Sequence, residues 1–235
     1  MRGGTLGGPI AAVLAVFAVA CSPAPRPHLP PPKPLVAELA APVATAWPRR
    51  EVLDLALDAY RCGQMHGYIE RPVLTVIDYS LPSSQRRLWV IDVAQNQVLF
   101  HELVAHGVNS GDAASVAFSN RDGSRQSSLG LFRTDDTYHG AHGLSLRLNG
   151  LEPGVNDRAR QRHIVMHGAD YVSEAVVAKH GRIGRSWGCP ALPVDVNAKV
   201  IDRIRDGSAV FAYYPDPAWL ESSRFLHCDV ARAAR

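Results

Sequence analysis

The sequence predicts one globular domain of mainly β structure with a few helices, placed after an N-terminal export region. Short apolar or alternating runs bounded by turn residues recur between residues 68 and 214, which is typical of strands. Helical periodicity is confined to two segments, and no internal repeat is evident. From residue 49 to residue 235 the composition is that of a globular chain, long enough for one sizeable core.

Residues 1–20 have the layout of a secretory signal peptide. Arg2 precedes an apolar run that ends at Cys21, and this run is short for a membrane span of about 20 residues. Val19-Ala20-Cys21 looks like a lipobox, in which the cysteine becomes the lipidated first residue. We therefore favour an exported lipoprotein attached to a membrane through Cys21 over an uncleaved anchor or an ordinary cleaved signal.

Residues 21–48 predict a tether between the lipidated cysteine and the domain. They hold nine of the seventeen prolines, and such a segment prefers extended polyproline conformations. A ligand for a proline-binding module is the alternative interpretation. The globular domain is then predicted to occupy residues 49–235.

The elements of the domain follow from periodicity. Apolar residues at helical spacing predict a helix over residues 49–61, and strands follow over residues 68–79 and 88–106. The pair Gln95-Asn96 lies near the hairpin turn. The polar residues 112–125 predict a loop.

The C-terminal part of the domain predicts one further helix and a last strand. Residues 195–205 place Val196, Val200, Ile201 and Ile204 on one face, and Gly207 ends the helix. The apolar run 208–214 then predicts the final strand. These elements complete the β-rich domain.

The charge of the chain excludes nucleic acid as an expected partner. The formal net charge is only +3, from 25 basic and 22 acidic side chains, which is too small a balance for that class of ligand. Five arginines do gather near the candidate site in sequence, namely Arg158, Arg160, Arg162, Arg182 and Arg185. They suit a carboxylate-bearing substrate, or they form a solvated basic loop.

Residues 164–192 contain the candidate catalytic groups. Cys189 is the predicted nucleophile and His167 its base, because a thiol is reactive as thiolate and an imidazole can take its proton. Gly188 lets the main chain approach a substrate closely. The backbone N–H groups of Gly188 and Cys189, helped by Ser186, are the predicted oxyanion donors.

The motifs around these residues resemble a known family. His167-Gly168 followed by Ser186-x-Gly188-Cys189 resembles the catalytic motif of the peptidoglycan L,D-transpeptidases, the YkuD-like cysteine enzymes. The segment 127–132, SSLGLF, resembles an upstream motif of that family, and WVID with VAHG resembles its opening strands. Trp187, where other members have histidine, and Pro190 with Ala191 point to the divergent murein L,D-transpeptidase branch.

The resemblance implies a β-sandwich or barrel catalytic domain that acts in the periplasm on peptidoglycan stem peptides. It implies a cysteine acyl-enzyme without a metal or an organic cofactor. Resolution of that acyl-enzyme by an amine gives a cross-link, whereas resolution by water makes the protein an L,D-carboxypeptidase. In the resembled fold, the loop with Tyr138, His139 and His142 is where a substrate-capping loop is expected.

Cys62 and Cys228 remain as an even pair once Cys21 and Cys189 have their roles. An oxidising compartment permits a disulfide between them; two separate buried thiols are the alternative. Ser128, Tyr138 and Arg185 are weaker candidates for substrate binding, and ordinary loop hydrogen bonding is the alternative for the serine.

Two other functional classes remain open from the sequence. A zinc hydrolase could use His163, His167 and Cys189, with His180 nearby in sequence. On a strand, however, residues four apart are about 13 Å from each other, too far to bind one ion together. A non-catalytic wall-binding lipoprotein is the other alternative, in which Trp187 marks a lapsed site.

Overall fold

The protein is described from a computed structural model over residues 47–228. Within that range the helices are α1 (Arg50–Met65), α2 (Glu174–His180), α3 (Val194–Ile204) and α4 (Pro217–Ser222). The strands there are β1 (Val73–Asp78), β2 (Leu88–Asp92), β3 (Gln97–Glu102), β4 (Gly130–Gly140), β5 (Gly143–Gly150), β6 (Val165–Gly168), β7 (Ala191–Leu192) and β8 (Ala209–Tyr213). This composition confirms the predicted class, mainly β with a few helices.

All eight strands form one sheet in the order β3-β2-β1-β8-β4-β5-β6-β7. The β1–β8 and β6–β7 pairs are parallel, and the other neighbours are antiparallel. The last strand of the chain therefore inserts beside the first strand, at the centre of the sheet. A central strand that is covered on both faces is expected to be apolar throughout. The residues of β8 are accordingly all apolar and buried.

The two edges of the sheet approach each other. Ala105, just after β3, donates its N–H to the carbonyl oxygen of Ala191 in β7 at 2.9 Å. Gly107 makes a second bridge with Ser186. The sheet is therefore nearly closed, and its seam lies next to the segment that contains Cys189.

Helix α1 forms where the sequence predicts it and continues to Met65. Val52, Ala56 and Ala59 are fully buried at helical spacing, and the helix packs on β1 and β8. Strand β1 differs from the predicted alternation, because all six of its residues are buried. Since both α1 and α3 contact it, neither face of β1 is left to solvent.

Helix α3 packs on β6, β1 and β5 with the predicted apolar face. Val200, Ile201 and Ile204 are fully buried, as predicted. Val196 is only half-buried, and the neighbouring Asn197 is buried instead. The Asn197 side chain donates to the carbonyl of Leu144 at 2.9 Å. The helix therefore supports β5 and β6, the strands next to the candidate site.

The structure corrects the sequence prediction at four elements. Helices α2 and α4 were not predicted, because α2 buries no residue and α4 has only six residues. Strands β4 and β5 form a long hairpin where a glycine-punctuated loop was expected. The tip lies between Gly140 and Gly143, which pair with each other.

Cys62 and Cys228 form a disulfide bond with a Cα–Cα distance of 5.8 Å. The bond joins α1 to the C-terminal segment across 166 positions of sequence. Cys62 is buried in the core beside the helix face that packs on the sheet. The alternative of two separate thiols therefore does not describe this structure.

Residues 1–46 lie outside the described residues, and with them the predicted signal peptide, Cys21 and most of the predicted tether. Among residues 47–228, none of the helices has the length and apolar character needed to cross a membrane.

Candidate active site

The thiol of Cys189 lies between two backbone groups at the start of β6. Its Sγ donates to the carbonyl oxygen of His163 at 3.6 Å and accepts from the N–H of Val165 at 3.5 Å. His163 has a φ of +55°, an unusual conformation for a side chain of its kind. Burial raises the pKa of the Cys189 thiol, and the Val165 N–H and Arg162 oppose that rise. The thiol is therefore protonated at neutral pH.

His167 is buried in β6 and has a defined tautomer. Its Nδ1 lies 3.0 Å from the carbonyl oxygen of Gly168. Because a carbonyl only accepts, Nδ1 carries the proton and Nε2 is the basic nitrogen. Burial lowers the pKa of His167, the bond to Gly168 opposes this, and His142 lowers it further. The ring is therefore a neutral base.

A row of paired residues crosses the sheet at the level of His167. Tyr138 pairs with Ser145, Ser145 with His167, and His167 with Ala191. Side chains of paired residues project to the same face of a sheet. Tyr138 therefore shares a face with His167, although it lies on a strand and not in the expected loop. The guanidinium carbon of Arg147 lies over the Tyr138 ring, 4.3 Å from its centroid.

The hairpin tip brings a second imidazole to His167. The rings of His142 and His167 stack with centroids 4.5 Å apart and an interplanar angle of 26°. His142 is exposed, whereas His167 is buried. The capping position expected for this segment is thus occupied by His142, over the predicted base.

Strand pairing brings the predicted nucleophile and base onto neighbouring segments. His167 N–H donates to the carbonyl of Pro190 at 3.4 Å, and Cys189 precedes Pro190. Since a strand rises about 3.3 Å per residue, Cys189 lies about 7 Å along the chain from Ala191, the partner of His167. Within the described residues, the hydrogen bonds of Sγ are to His163 and Val165, and none is to the His167 ring.

Ser186 organises the loop before the thiol. Its Oγ accepts from the N–H of Gly188 at 3.1 Å and donates to the carbonyl of Cys189 at 2.6 Å. In this conformation the Gly188 N–H is bound to Ser186 Oγ, so its predicted role as an oxyanion donor requires that hydrogen bond to open. The N–H of Cys189 has no acceptor among the described residues.

The backbone conformation and close packing at position 188 require glycine. Its φ is +124°, and a Cβ there would lie 2.8 Å from the carbonyl oxygen of Gln126. The backbone before the thiol therefore packs directly against the segment that contains Gln126. Trp187, the residue before Gly188, is 72 % exposed, and the guanidinium of Arg125 lies 4.6 Å from its ring.

The weaker substrate-binding candidates already have partners inside the protein. Arg185 is paired with Asp112 at 3.1 Å and donates to the carbonyl of Gly111 at 3.0 Å. Ser128 donates to the carbonyl of Ser119 at 2.8 Å and accepts from Arg162 at 2.6 Å. These contacts favour the loop hydrogen bonding that was the alternative for Ser128.

Four of the five arginines named from the sequence separate into two kinds. Arg160, Arg182 and Arg185 are paired with carboxylates, so their charge is compensated. Arg162 is bound by neutral oxygens beside the thiol. The sequence places Arg162 in the basic group but does not distinguish it from the others.

Tyr171, just after β6, is a neighbour of the thiol that the sequence did not indicate. Burial raises its pKa to about 12, and the charge of a Cys189 thiolate adds to that rise. A β-carbon at Gly184 would clash with the Tyr171 side chain at 2.6 Å. Tyr171 thus packs tightly against the loop that leads to the thiol.

Within the described part of the chain, no metal-ligand set forms at the thiol. Among residues 47–228, the group of three ligand atoms within 4.8 Å of one another consists of Cys62, His66 and Cys228, and both of its thiols are in the disulfide. His163, His167 and Cys189 are not brought together in this way. The zinc alternative therefore lacks the ligand geometry that it requires.

Comparison with known families agrees with the resemblance noted from the motifs. The family model of the L,D-transpeptidase catalytic domain, YkuD_2, matches residues 46–213. The chain belongs to this family. The range that matches the L,D-transpeptidase catalytic domain family includes both His167 and Cys189. None of the curated proteins compared with the chain matches it.

Several solved structures are similar to this chain at low identity. An L,D-transpeptidase from Mycobacterium smegmatis is 16 % identical, with 61 % of this chain and 59 % of that chain covered and a TM-score of 0.37. One from Stackebrandtia nassauensis is 14 % identical over 69 % and 68 %, with a TM-score of 0.37. The cell shape determining protein Pgp2 from Campylobacter jejuni is 10 % identical over 68 % and 57 %, with a TM-score of 0.41. The chain thus spans about three fifths of the mycobacterial protein's length.

Proposed function

We propose that this protein is a peptidoglycan L,D-transpeptidase that works through a Cys189 acyl-enzyme. The observation that supports this most directly is the 3.0 Å distance between His167 Nδ1 and the Gly168 carbonyl oxygen. Because Nδ1 is bound to Gly168, Nε2 is the basic nitrogen of His167, on the strand beside the segment of the thiol. A thiol and a neutral imidazole that can accept its proton are the combination that acyl transfer needs.

The first half-reaction transfers an acyl group to sulfur. The Cys189 proton passes to Nε2 of His167, and the thiolate attacks the carbonyl of the bond between the L-centre of the third stem residue and the terminal D-residue. The Cys189 N–H donates to the oxyanion that forms. The C–N bond then breaks, His167 returns the proton to the leaving amine, and a thioester remains.

The second half-reaction releases the acyl group. An amine from a second stem attacks the thioester, His167 takes its proton, and the thiol is restored as the cross-link forms. Before the first half-reaction, the S–H of Cys189 must leave the carbonyl of His163, to which only a protonated thiol can donate. Catalytic hydrogen bonds often tighten only when substrate is bound.

We also propose that the domain acts outside the cytoplasm as a lipoprotein. The signal layout of residues 1–20, the lipobox-like Cys21 and the proline-rich segment 21–48 support this organisation. The disulfide between Cys62 and Cys228 suits an oxidising envelope compartment. Labelling with a fatty acid analogue, in the parent and in Cys21→Ser, tests the anchor; label retained by the variant contradicts it.

Mass spectrometry of purified tetrapeptide muropeptides tests the reaction. With the parent we expect a cross-linked dimer that has lost one D-residue, and with Cys189→Ala we expect unchanged substrate. A tripeptide without dimer would show that water resolves the acyl-enzyme and would assign an L,D-carboxypeptidase. Turnover by Cys189→Ala equal to that of the parent would refute the nucleophile.

A further inference from the structure

Arg162 lies in the segment before β6 and is held by neutral oxygens. Its Nη1 donates to the carbonyl of Ser119 and to Ser128 Oγ, both at 2.6 Å. Its Nη2 donates to the carbonyl of Gln126 at 2.7 Å and to Ser124 Oγ at 3.2 Å. Four acceptors fix the guanidinium group in one position without neutralising it.

The charge of Arg162 has no carboxylate partner in contact. Among residues 47–228, the ion pairs involve other arginines and leave Arg162 out. Burial lowers the pKa of Arg162, while Asp122 and the Cys189 thiol raise it. A half-buried cation held only by neutral groups is costly in free energy, and such groups concentrate at functional sites.

The guanidinium packs against the backbone that carries the thiol. Nη2 lies 3.5 Å from the position that a Cβ on Gly188 would occupy. Gly188 is buried and precedes Cys189 directly. Ile164 Cδ1 lies 3.2 Å from the same position, so the guanidinium is next to an apolar side chain and to the backbone of the residue before the thiol, where a charge acts through little water.

The other titratable groups that act on Cys189 are neutral at the pH at which it works. Burial raises the pKa of Tyr79, which follows β1, and of Tyr171, which follows β6, each to about 12. Burial lowers the pKa of His167, so this ring is uncharged as well. Arg162 is therefore the positive charge that faces the thiol within the described part of the chain.

We propose that Arg162 is the electrostatic partner of the Cys189 thiolate. In this arrangement the fixed guanidinium stabilises the sulfur anion, and His167 stays neutral to accept and return the proton. Arg162 does not need to touch the substrate, so it is a positioning residue that acts through the thiol. This inference rests on the proposed function in one respect, namely that Cys189 is the nucleophile.

The test is the pH dependence of Cys189 alkylation by iodoacetamide, which needs no peptidoglycan. The full chain is alkylated between pH 6 and pH 11, and the Cys189 peptide is quantified by mass spectrometry. With Arg162→Gln we expect alkylation about tenfold slower at pH 7 and a midpoint at higher pH, with the rate at high pH unchanged. With Arg162→Lys, which keeps the charge, most of the rate at pH 7 should return.

Arg160→Gln is the matched control. Arg160 lies two positions away and is exposed, and it is paired with Asp135 at 3.0 Å. Its removal changes the net charge of the chain by the same amount, and we expect the alkylation profile of the parent. A folded Arg162→Gln protein with the parent profile would overturn the proposal.

A second variant keeps the proposal testable if Arg162→Gln does not fold. Ser124→Asp introduces a carboxylate beside Nη2, where Ser124 Oγ now lies at 3.2 Å, and so neutralises the cation in place. Slower alkylation at pH 7 supports the proposal, and an unchanged profile refutes it. Failure of muropeptide turnover with a normal Arg162 effect would refute the proposed reaction alone.

Discussion

His142, at the tip of the β4–β5 hairpin, stacks on His167 with ring centroids 4.5 Å apart. The two rings come from segments 25 positions apart in the sequence, and only His167 is buried. This contact places an exposed hairpin against one face of the predicted base, and His142 is one of the groups that lower the pKa of His167.

We predict that His142→Ala lowers kcat about tenfold, because the His167 ring loses the surface that orients it. The same change removes a neighbour that lowers the pKa of His167, so the acid limb of the kcat/KM profile should move to higher pH. His142→Phe keeps a stacked ring and should retain most of kcat while showing the same pH shift. An unaltered pH profile in both variants would contradict this role.

Ser186→Ala should destabilise the nucleophile loop. The Ser186 hydroxyl is buried and joins Gly188 N–H to the Cys189 carbonyl, so its removal leaves two backbone groups without partners. We expect a loss of about 1–3 kcal/mol in the free energy of unfolding, measured in urea. Ser186→Thr retains the hydroxyl and should lose less; equal losses in both variants would show that the hydrogen bonds contribute little.

His106 should make the stability of the fold pH-dependent. Arg87 Nη2 donates to its Nδ1 at 2.7 Å, and its Nε2–H donates to the Gly111 carbonyl at 3.3 Å. Burial lowers its pKa to about 4, and Arg87 and Arg185 contribute to that shift. The folded state thus binds fewer protons than the unfolded state between pH 4 and the ordinary histidine pKa of about 6.5.

The free energy of unfolding should therefore fall by up to about 3 kcal/mol from this group as the pH falls from about 6.5 to about 4. Urea unfolding at several pH values measures this slope. His106→Gln should flatten the slope in that window, whatever its effect at pH 8. His180→Gln, at an exposed position, should keep the slope of the parent; an equal slope in His106→Gln would assign the effect to other groups.

Removal of the disulfide should lower the free energy of unfolding and leave the reactivity of the Cys189 thiol unchanged. We expect Cys62→Ala/Cys228→Ala to lose about 2–4 kcal/mol of unfolding free energy, because the bond closes a long loop. Chemical denaturation with and without a reductant provides the control: reduced parent and variant should unfold alike. A variant as stable as the oxidised parent would show that the bond adds little.

The parts of the fold that the sequence predicted are those with an apolar pattern of their own. Helices α1 and α3 each bury one face, and β1, β2 and β8 are apolar runs between turn residues. Strands β4 and β5 escaped prediction because their outer ends are polar and exposed and their tip is rich in glycine. Helix α2 buries no residue, so its sequence shows no apolar face.

The residues of the candidate site also differ in whether the sequence could predict them. Cys189 and His167 could be recognised because reactive residue types stand in a short motif. Arg162 could not be separated from its neighbours, since its distinction lies in the folding of residues 119–128 around it. The contact of His142 with His167 depends on the length and register of the β4–β5 hairpin, which local patterning does not specify.

The bridge between Ala105 and Ala191 makes the site sensitive to events at both edges of the sheet. Ala191 pairs with His167 on one side and with Ala105 on the other, so fraying of either edge would release the backbone next to the thiol. Amide hydrogen exchange at the seam should then report the same opening that exposes Cys189. Because this closure joins segments far apart in the chain, the catalytic geometry would be completed late in folding.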